Sequence, residues 1–216
     1  MHPRPSHLPH VRLLGHPRSI NVRKVRWTCD EIGLDYVQED WGGNTRSTAD
    51  AAFRVLSPKG LVPVLVDGPL VLTESNTIMR YLAAKHGRDD LLPADPIGRA
   101  RVEEVMDWQA TEFNAAWRPA FLSIVRGSPH AGTDEQVRAS LNEWSRMLRL
   151  LEGRLADGRR HVCGGAFTLA DIVIGLSVNR WFQTPMARPD MPLSRAYFAR
   201  LMERPAARAY MGGDTD

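Results

Sequence analysis

The hydrophobic period changes twice between Val11 and Asp40, and this constrains the chain more than any single motif. Val11-Arg12-Leu13-Leu14 reads as a short strand that breaks at Gly15-His16-Pro17. Val22, Val25, Cys29 and Ile32 then recur at three- and four-residue steps, which marks one apolar helix face, and Gly33 suits its C-terminal cap. Tyr36 to Asp40 reads as a second strand after a short connection. Strand, helix and strand within about thirty residues form a βαβ unit, which demands parallel strands and a right-handed crossover.

The chain continues with a loop at Gly42-Gly43-Asn44 and a short helix expected between Thr48 and Leu56. Asp67-Gly68 separates the apolar runs Val62–Val66 and Leu70–Leu72 and signals a hairpin. Pro63 lacks a ladder donor, so it must sit at the strand's entrance or serve another purpose. After Thr73-Glu74-Ser75 a helix is expected to about His86, with Ile78, Tyr81, Leu82 and Ala84 available for burial. The order over residues 11–86 is βαβαββα. Residues 87–96 are polar, proline-bearing and aperiodic, and read as a linker. Everything beyond reads helical, at 97–126, 134–157, 168–183 and 193–203, with a shorter piece near 205–211.

Composition narrows the function classes. A length of 216 residues, 43% hydrophobic and 25% charged, allows one large domain or two modest ones. Two cysteines, Cys29 and Cys163, build no disulfide framework and no CxxC pair, which points to a reducing, cytoplasmic setting. No apolar run suits a membrane span or a signal peptide. The formal charge of +3 is scattered, with no arginine stripe interleaved with aromatics, so nucleic acid is not an expected partner. Residues 1–10 hold prolines and histidines without periodicity and are expected to be a disordered lead. His86, His130 and His161 are isolated, and no metal site is expected.

The βαβαββα order, the Val62-Pro63 step, Glu74-Ser75 opening a helix and an all-helical second half together resemble a cytosolic glutathione transferase of the bacterial, serine-bearing kind. The stretch GLVPVLVDGPLVLTESNTIMRYLA carries the resemblance most specifically, and SINVRKVRW and FTLADIVIG match the same family. The resemblance implies a thioredoxin-like α/β domain followed by an all-helical domain. It also implies glutathione as co-substrate, a small electrophile as second substrate, and a homodimer.

Residue roles follow from the resemblance and from the chemistry of the tripeptide. The family's Val62-Pro63 bond is cis and offers the Val62 backbone to the cysteinyl part of glutathione as an added strand. Glu74 suits the γ-glutamyl ammonium. The Ser75 hydroxyl and the N–H groups of the following helix turn suit the γ-glutamyl carboxylate. The family's thiol-activating group stands at Ser19-Ile20-Asn21. Ser19, Asn21 and the helix dipole are available donors to the sulfur, and one unit of pKa depression corresponds to about 1.4 kcal/mol of thiolate stabilisation. Leu61 stands where the family often has a polar or basic residue, so the glycine carboxylate is left to Lys59, Arg46, Asn44 or solvent. No cysteine occupies the activating turn, and Cys29 falls on the apolar helix face, which argues against cysteine-dependent thioltransferase classes.

In the second half, Thr168 and Asp171 are spaced as a helix-capping box, a folding element rather than a catalytic one. Trp108, Thr111, Asn114, Trp117 and Arg118 recur at helical spacing and either wall a second-substrate pocket or pack the helical core. Glu112 is a candidate for reaching a γ-glutamyl ammonium across a dimer interface. Two alternatives to conjugation stand beside it. One is glutathione-dependent disulfide reduction, suggested by the hydroxyl–spacer–asparagine turn. The other is a non-catalytic glutathione-binding or scaffold protein.

Overall fold

The computed structural model describes residues 11–212; the histidine- and proline-bearing lead at 1–10 lies outside them. The chain divides into two compact units, and the division falls between Leu82 and Ala83.

The first unit contains strands β1 (Val11–Leu14), β2 (Val37–Glu39), β3 (Val64–Asp67) and β4 (Leu70–Thr73) in the spatial order β2-β1-β3-β4. Helices α1 (Ile20–Ile32), α2 (Ala51–Leu56) and α3 (Ser75–Lys85) complete it, the last turn of α3 falling beyond the division. β1 pairs parallel with β2, as the strand–helix–strand period requires, and antiparallel with β3; β3 and β4 form the hairpin. Gly33 ends α1 in the left-handed region (φ 75°), donating to Asp30 O while Leu34 donates to Cys29 O. Leu14, Trp41, Phe53 and Val64 form one buried cluster, with Leu56, Val62 and Val66 against it. The helix expected from Thr48 begins only at Ala51, because the Asp50 carboxylate caps the Ala52 N–H at 2.8 Å. On α3, Ala84 is exposed and Met79 and Ala83 are buried beside Ile78 and Leu82, which corrects the expected face by one residue.

The second unit is helical, and segment 88–92 belongs to it. Leu91 and Leu92 are buried, and the Leu91 carbonyl accepts from Leu169 N–H at 2.9 Å. The single helix expected at 97–126 is in fact three segments: α4 (Pro96–Trp108), a π-helical stretch (Gln109–Phe113) and α5 (Asn114–Ile124). Gln109 is buried in that stretch and donates to Asn114 Oδ1 and Ser177 Oγ, both at 3.0 Å. A widened turn shifts the angular register of every later side chain, so a stripe counted at 3.6 residues per turn does not survive across it. Within α5, Pro119 has no N–H, and the helix is tied to its neighbour by Ser140 of α6 (Asp134–Leu155). The Ser140 hydroxyl accepts from Ala120 N–H at 3.0 Å and donates to Ala116 O at 2.6 Å.

Helix α7 (Leu169–Gln183) is buried along nearly its whole length and packs against α4 and α8 (Pro192–Met202), with α9 (Pro205–Arg208) packed on α8. Asp171 holds its start. One carboxylate oxygen accepts from Thr168 N–H (2.9 Å) and Thr168 hydroxyl (3.2 Å), and the other from Val162 N–H and Tyr197 hydroxyl (2.8 Å each). Burial raises the Asp171 carboxyl above the ordinary aspartate value, and the surrounding donors oppose it. Among the described residues, no helix is long and apolar enough to cross a membrane, and no cluster of ligating side chains could hold a metal.

Candidate functional site

Three chain segments of the first unit carry the residues read from the sequence as the glutathione site. The first is the turn 15–19. Ser19 is the N-cap of α1: its carbonyl accepts from Arg23 N–H at 2.9 Å, while its side chain makes no capping bond. The first turn of α1 carries no acidic residue, so the positive end of the helix dipole is unneutralised. Gly15 (φ 149°) precedes the turn, and a Cβ there would meet Val22 Cγ2 at 2.5 Å and Val62 Cβ at 3.0 Å. Only glycine lets the turn and Val62 approach this closely.

The second segment is Val62-Pro63, whose peptide bond is cis; Pro63 is buried and Val62 half-buried at the head of β3. The third is the corner into α3. Glu74 has φ 69°, the single described non-glycine residue in the left-handed region, and its carbonyl accepts the helix's first bond from Ile78 N–H at 3.0 Å. A left-handed glutamate costs on the order of 1–3 kcal/mol and persists where the surroundings impose it. Ser75 is buried at the first helical position, and α3 has no acidic residue in its first turn. The N–H groups of a helix start and a hydroxyl, which donate, therefore stand beside an exposed carboxylate, which accepts, the combination an amino acid's charged end requires.

Two cross-links join α1 to the start of α3, and neither was visible in the sequence. Ser75 Oγ donates to Asn21 Oδ1 at 3.4 Å, and Lys24 Nζ donates to Asn76 Oδ1 at the same distance. A third pairing concerns Lys59, whose ammonium lies 2.9 Å from Glu74 Oε1 rather than standing apart for another anion. Arg46 is held by Glu39 at 3.7 Å and over the Trp41 ring, while Asn44 is exposed in the adjacent turn. Cys29 is fully buried, and burial pushes its thiol up to about 12, so it is no nucleophile.

The five residues proposed as a second-substrate wall do not share one face. Trp117 lies in the helical core, edge-on to Phe121 and beside Trp144, with the Arg180 guanidinium 4.2 Å from its ring centre. Asn114 accepts from Trp117 Nε1 at 3.1 Å. Thr111 is exposed and bonds back to Asp107 O, Arg118 is exposed, and half-buried Trp108 stands edge-on to Phe113. The π-helical stretch contains Thr111 and separates Trp108 from Asn114, Trp117 and Arg118. Glu112 is exposed and lies 3.9 Å from Arg146.

Comparison with known proteins matches both units. The model of the glutathione S-transferase N-terminal domain matches residues 13–90, and that of the glutathione S-transferase C-terminal domain matches residues 109–205. The chain is 34% identical over 200 residues to glutathione S-transferase GstB of Escherichia coli, covering 92% of this chain and 96% of that one. It is 28% identical over 202 residues to glutathione S-transferase 1 of Zea mays, covering 92% and 94%. Among solved structures, the theta class glutathione S-transferase of Xanthomonas axonopodis pv. citri with glutathione bound superposes with a TM-score of 0.88. It shares 36% identity over 96% of this chain and all of that one. With a cis Val62-Pro63 step, a left-handed Glu74 before Ser75 and an uncapped Ser19 at the start of α1, the chain belongs to the glutathione S-transferase family.

Proposed function

We propose that this glutathione transferase holds the tripeptide along Val62, Pro63, Glu74 and Ser75 and stabilises its thiolate at Ser19, with Asn21 beside it. The observation that carries the reading is the Ser19 hydroxyl, which caps nothing although it stands at a helix N-terminus free of acidic residues. Its proton is available to a sulfur anion, and a charge-assisted hydrogen bond contributes about 1.5–3 kcal/mol. The thiolate then attacks a small electrophile: a C–S bond forms, and the displaced group leaves with the bonding pair. Where an epoxide is opened, the ring oxygen takes the pair and is protonated by water.

Glu74 takes the γ-glutamyl ammonium, Ser75 and the N-terminal N–H groups of α3 take its carboxylate, and Val62 pairs with the cysteinyl backbone. Lys59 and Asn44 are the candidates for the glycine carboxylate. Trp108, Thr111, Asn114 and Arg118 are the residues proposed to approach the electrophile, from more than one face of the helical segments, and Trp117 supports them from the core. The enzyme acts as a cytoplasmic homodimer, the common closed two-fold solution.

Titration of the bound thiol tests the chemistry. Ser19→Ala is expected to leave glutathione affinity nearly unchanged and to raise the thiol pKa by about one to two units. An unchanged titration returns Ser19 to a purely structural place. Rates on halogenated aromatics, epoxides and disulfides distinguish conjugation from disulfide reduction. A monomer in light scattering at high protein concentration would remove the dimer.

A further inference from the structure

We propose that Ser75 controls Asn21, so that seating the γ-glutamyl carboxylate releases a second donor to the thiol at the other end of the ligand. This rests on the glutathione site just proposed. The Ser75 hydroxyl has one proton, and it is directed at Asn21 Oδ1, 3.4 Å away. A carboxylate arriving at the start of α3 is a stronger acceptor than an amide oxygen. Because one proton serves one acceptor well, the incoming carboxylate takes it from Asn21.

Asn21 is then free to turn. Its side chain makes no hydrogen bond with a described residue other than Ser75. It belongs to the first turn of α1, two positions beyond Ser19, and in this scheme the released amide turns its Nδ2 protons to the sulfur. The neighbouring Lys24–Asn76 bond holds the same two helix starts together, so the exchange requires a side-chain rotation and no separation of α1 from α3. Ser75 is a positioning residue in this scheme, and Asn21 is the group that touches the sulfur. A thiol whose ligand lacks the γ-glutamyl carboxylate would find only Ser19 in place.

The test compares glutathione with its analogue carrying a carboxamide in place of the γ-glutamyl α-carboxylate, by thiol titration on saturated enzyme. Each value is referred to the same ligand free in solution. Removing a negative charge by itself makes a nearby thiol more acidic, so the through-space effect has the opposite sign to the one proposed. In the wild type, the bound analogue's thiol is expected to titrate about one unit higher than bound glutathione, roughly tenfold less thiolate at a fixed pH. In Ser75→Ala and in Asn21→Ala that gap is expected to vanish, for lack of the restraint in one and of the donor in the other.

Calorimetry on the same proteins keeps the two readings apart. Glutathione affinity that falls in Ser75→Ala, with no gap between the ligands in the wild type, overturns the coupling and leaves the binding site standing. Affinity unchanged in Ser75→Ala removes the γ-glutamyl placement and the coupling with it. A gap that persists in Asn21→Ala also overturns the coupling.

Discussion

The Lys59 ammonium lies 2.9 Å from Glu74 Oε1, so an internal cation occupies the carboxylate to which the ligand's ammonium is assigned. Both side chains are largely exposed, and an exposed pair of this kind holds with only about 0–1 kcal/mol. A bound ammonium that also gains helix-end contacts through its own carboxylate competes easily with it.

Glu74 therefore separates binding from stability. Glu74→Ala is expected to weaken glutathione binding by about 2–3 kcal/mol, read by calorimetry. Glu74→Gly should lose the same affinity yet raise unfolding stability by about 1 kcal/mol, because glycine adopts φ 69° without a side-chain clash. Equal affinity in wild type and Glu74→Ala would sink the placement of the ammonium.

Gly15 sets the spacing between the activating turn and Val62. An added methyl would meet Val22 and Val62 inside contact distance, at a backbone angle that side chains rarely adopt. Gly15→Ala is expected to cost about 2 kcal/mol or more of stability and to weaken glutathione binding along with it. Thermal unfolding and calorimetry check the two effects separately; an unaltered protein would show that the turn relaxes freely.

Ser140 bridges α6 to α5 at the residue following Pro119. Ser140→Ala leaves the Ala120 N–H and Ala116 C=O without their shared partner and should cost about 1–3 kcal/mol in urea unfolding. The slope of the transition should stay the same, since the change removes a bond rather than the fold. A loss below about 0.5 kcal/mol would mean that the two backbone groups re-pair across the turn.

Arg12 and Glu39 give the first unit a pH dependence. The Arg12 guanidinium bonds Glu39 Oε1 at 2.5 Å and holds its carboxyl below the ordinary value of 4.5, with a smaller pull from the Trp41 N–H and an opposing push from burial. A carboxyl lowered on folding stabilises the native state above its unfolded pKa, and that stabilisation is lost as the pH falls through the folded pKa. Glu39→Gln should thus cost about 1 kcal/mol at neutral pH, and its difference from the wild type should close as the solution is acidified below the ordinary value. Unfolding curves of both proteins across that range decide it; a difference independent of pH would assign the effect to packing.

The chain itself determined what depends on neighbours a few residues apart. The short apolar strand at Val11–Leu14, the three- and four-residue steps through Val22 and Cys29, Gly33 at a cap and Asp67-Gly68 at a turn specify their elements locally, since backbone sterics and buried faces suffice. Ser19 and Ser75 were legible as donors, with Glu74 as the acceptor beside them, because helix starts leave their N–H groups unused wherever they occur. What tertiary structure decided are relations between residues distant in sequence. The Ser75–Asn21 and Lys24–Asn76 bonds, the Lys59–Glu74 pair and the Ser140 bridge join groups between 15 and 54 positions apart. The π-helical stretch shows the same limit on a shorter scale. Gln109 finds its partner Ser177 across 68 residues, Thr111 within the widened turn faces solvent, and beyond it Trp117 faces the core while Arg118 faces solvent. A periodicity count assumes a constant 3.6 residues per turn, and one inserted turn of different width, stabilised from another helix, cancels it.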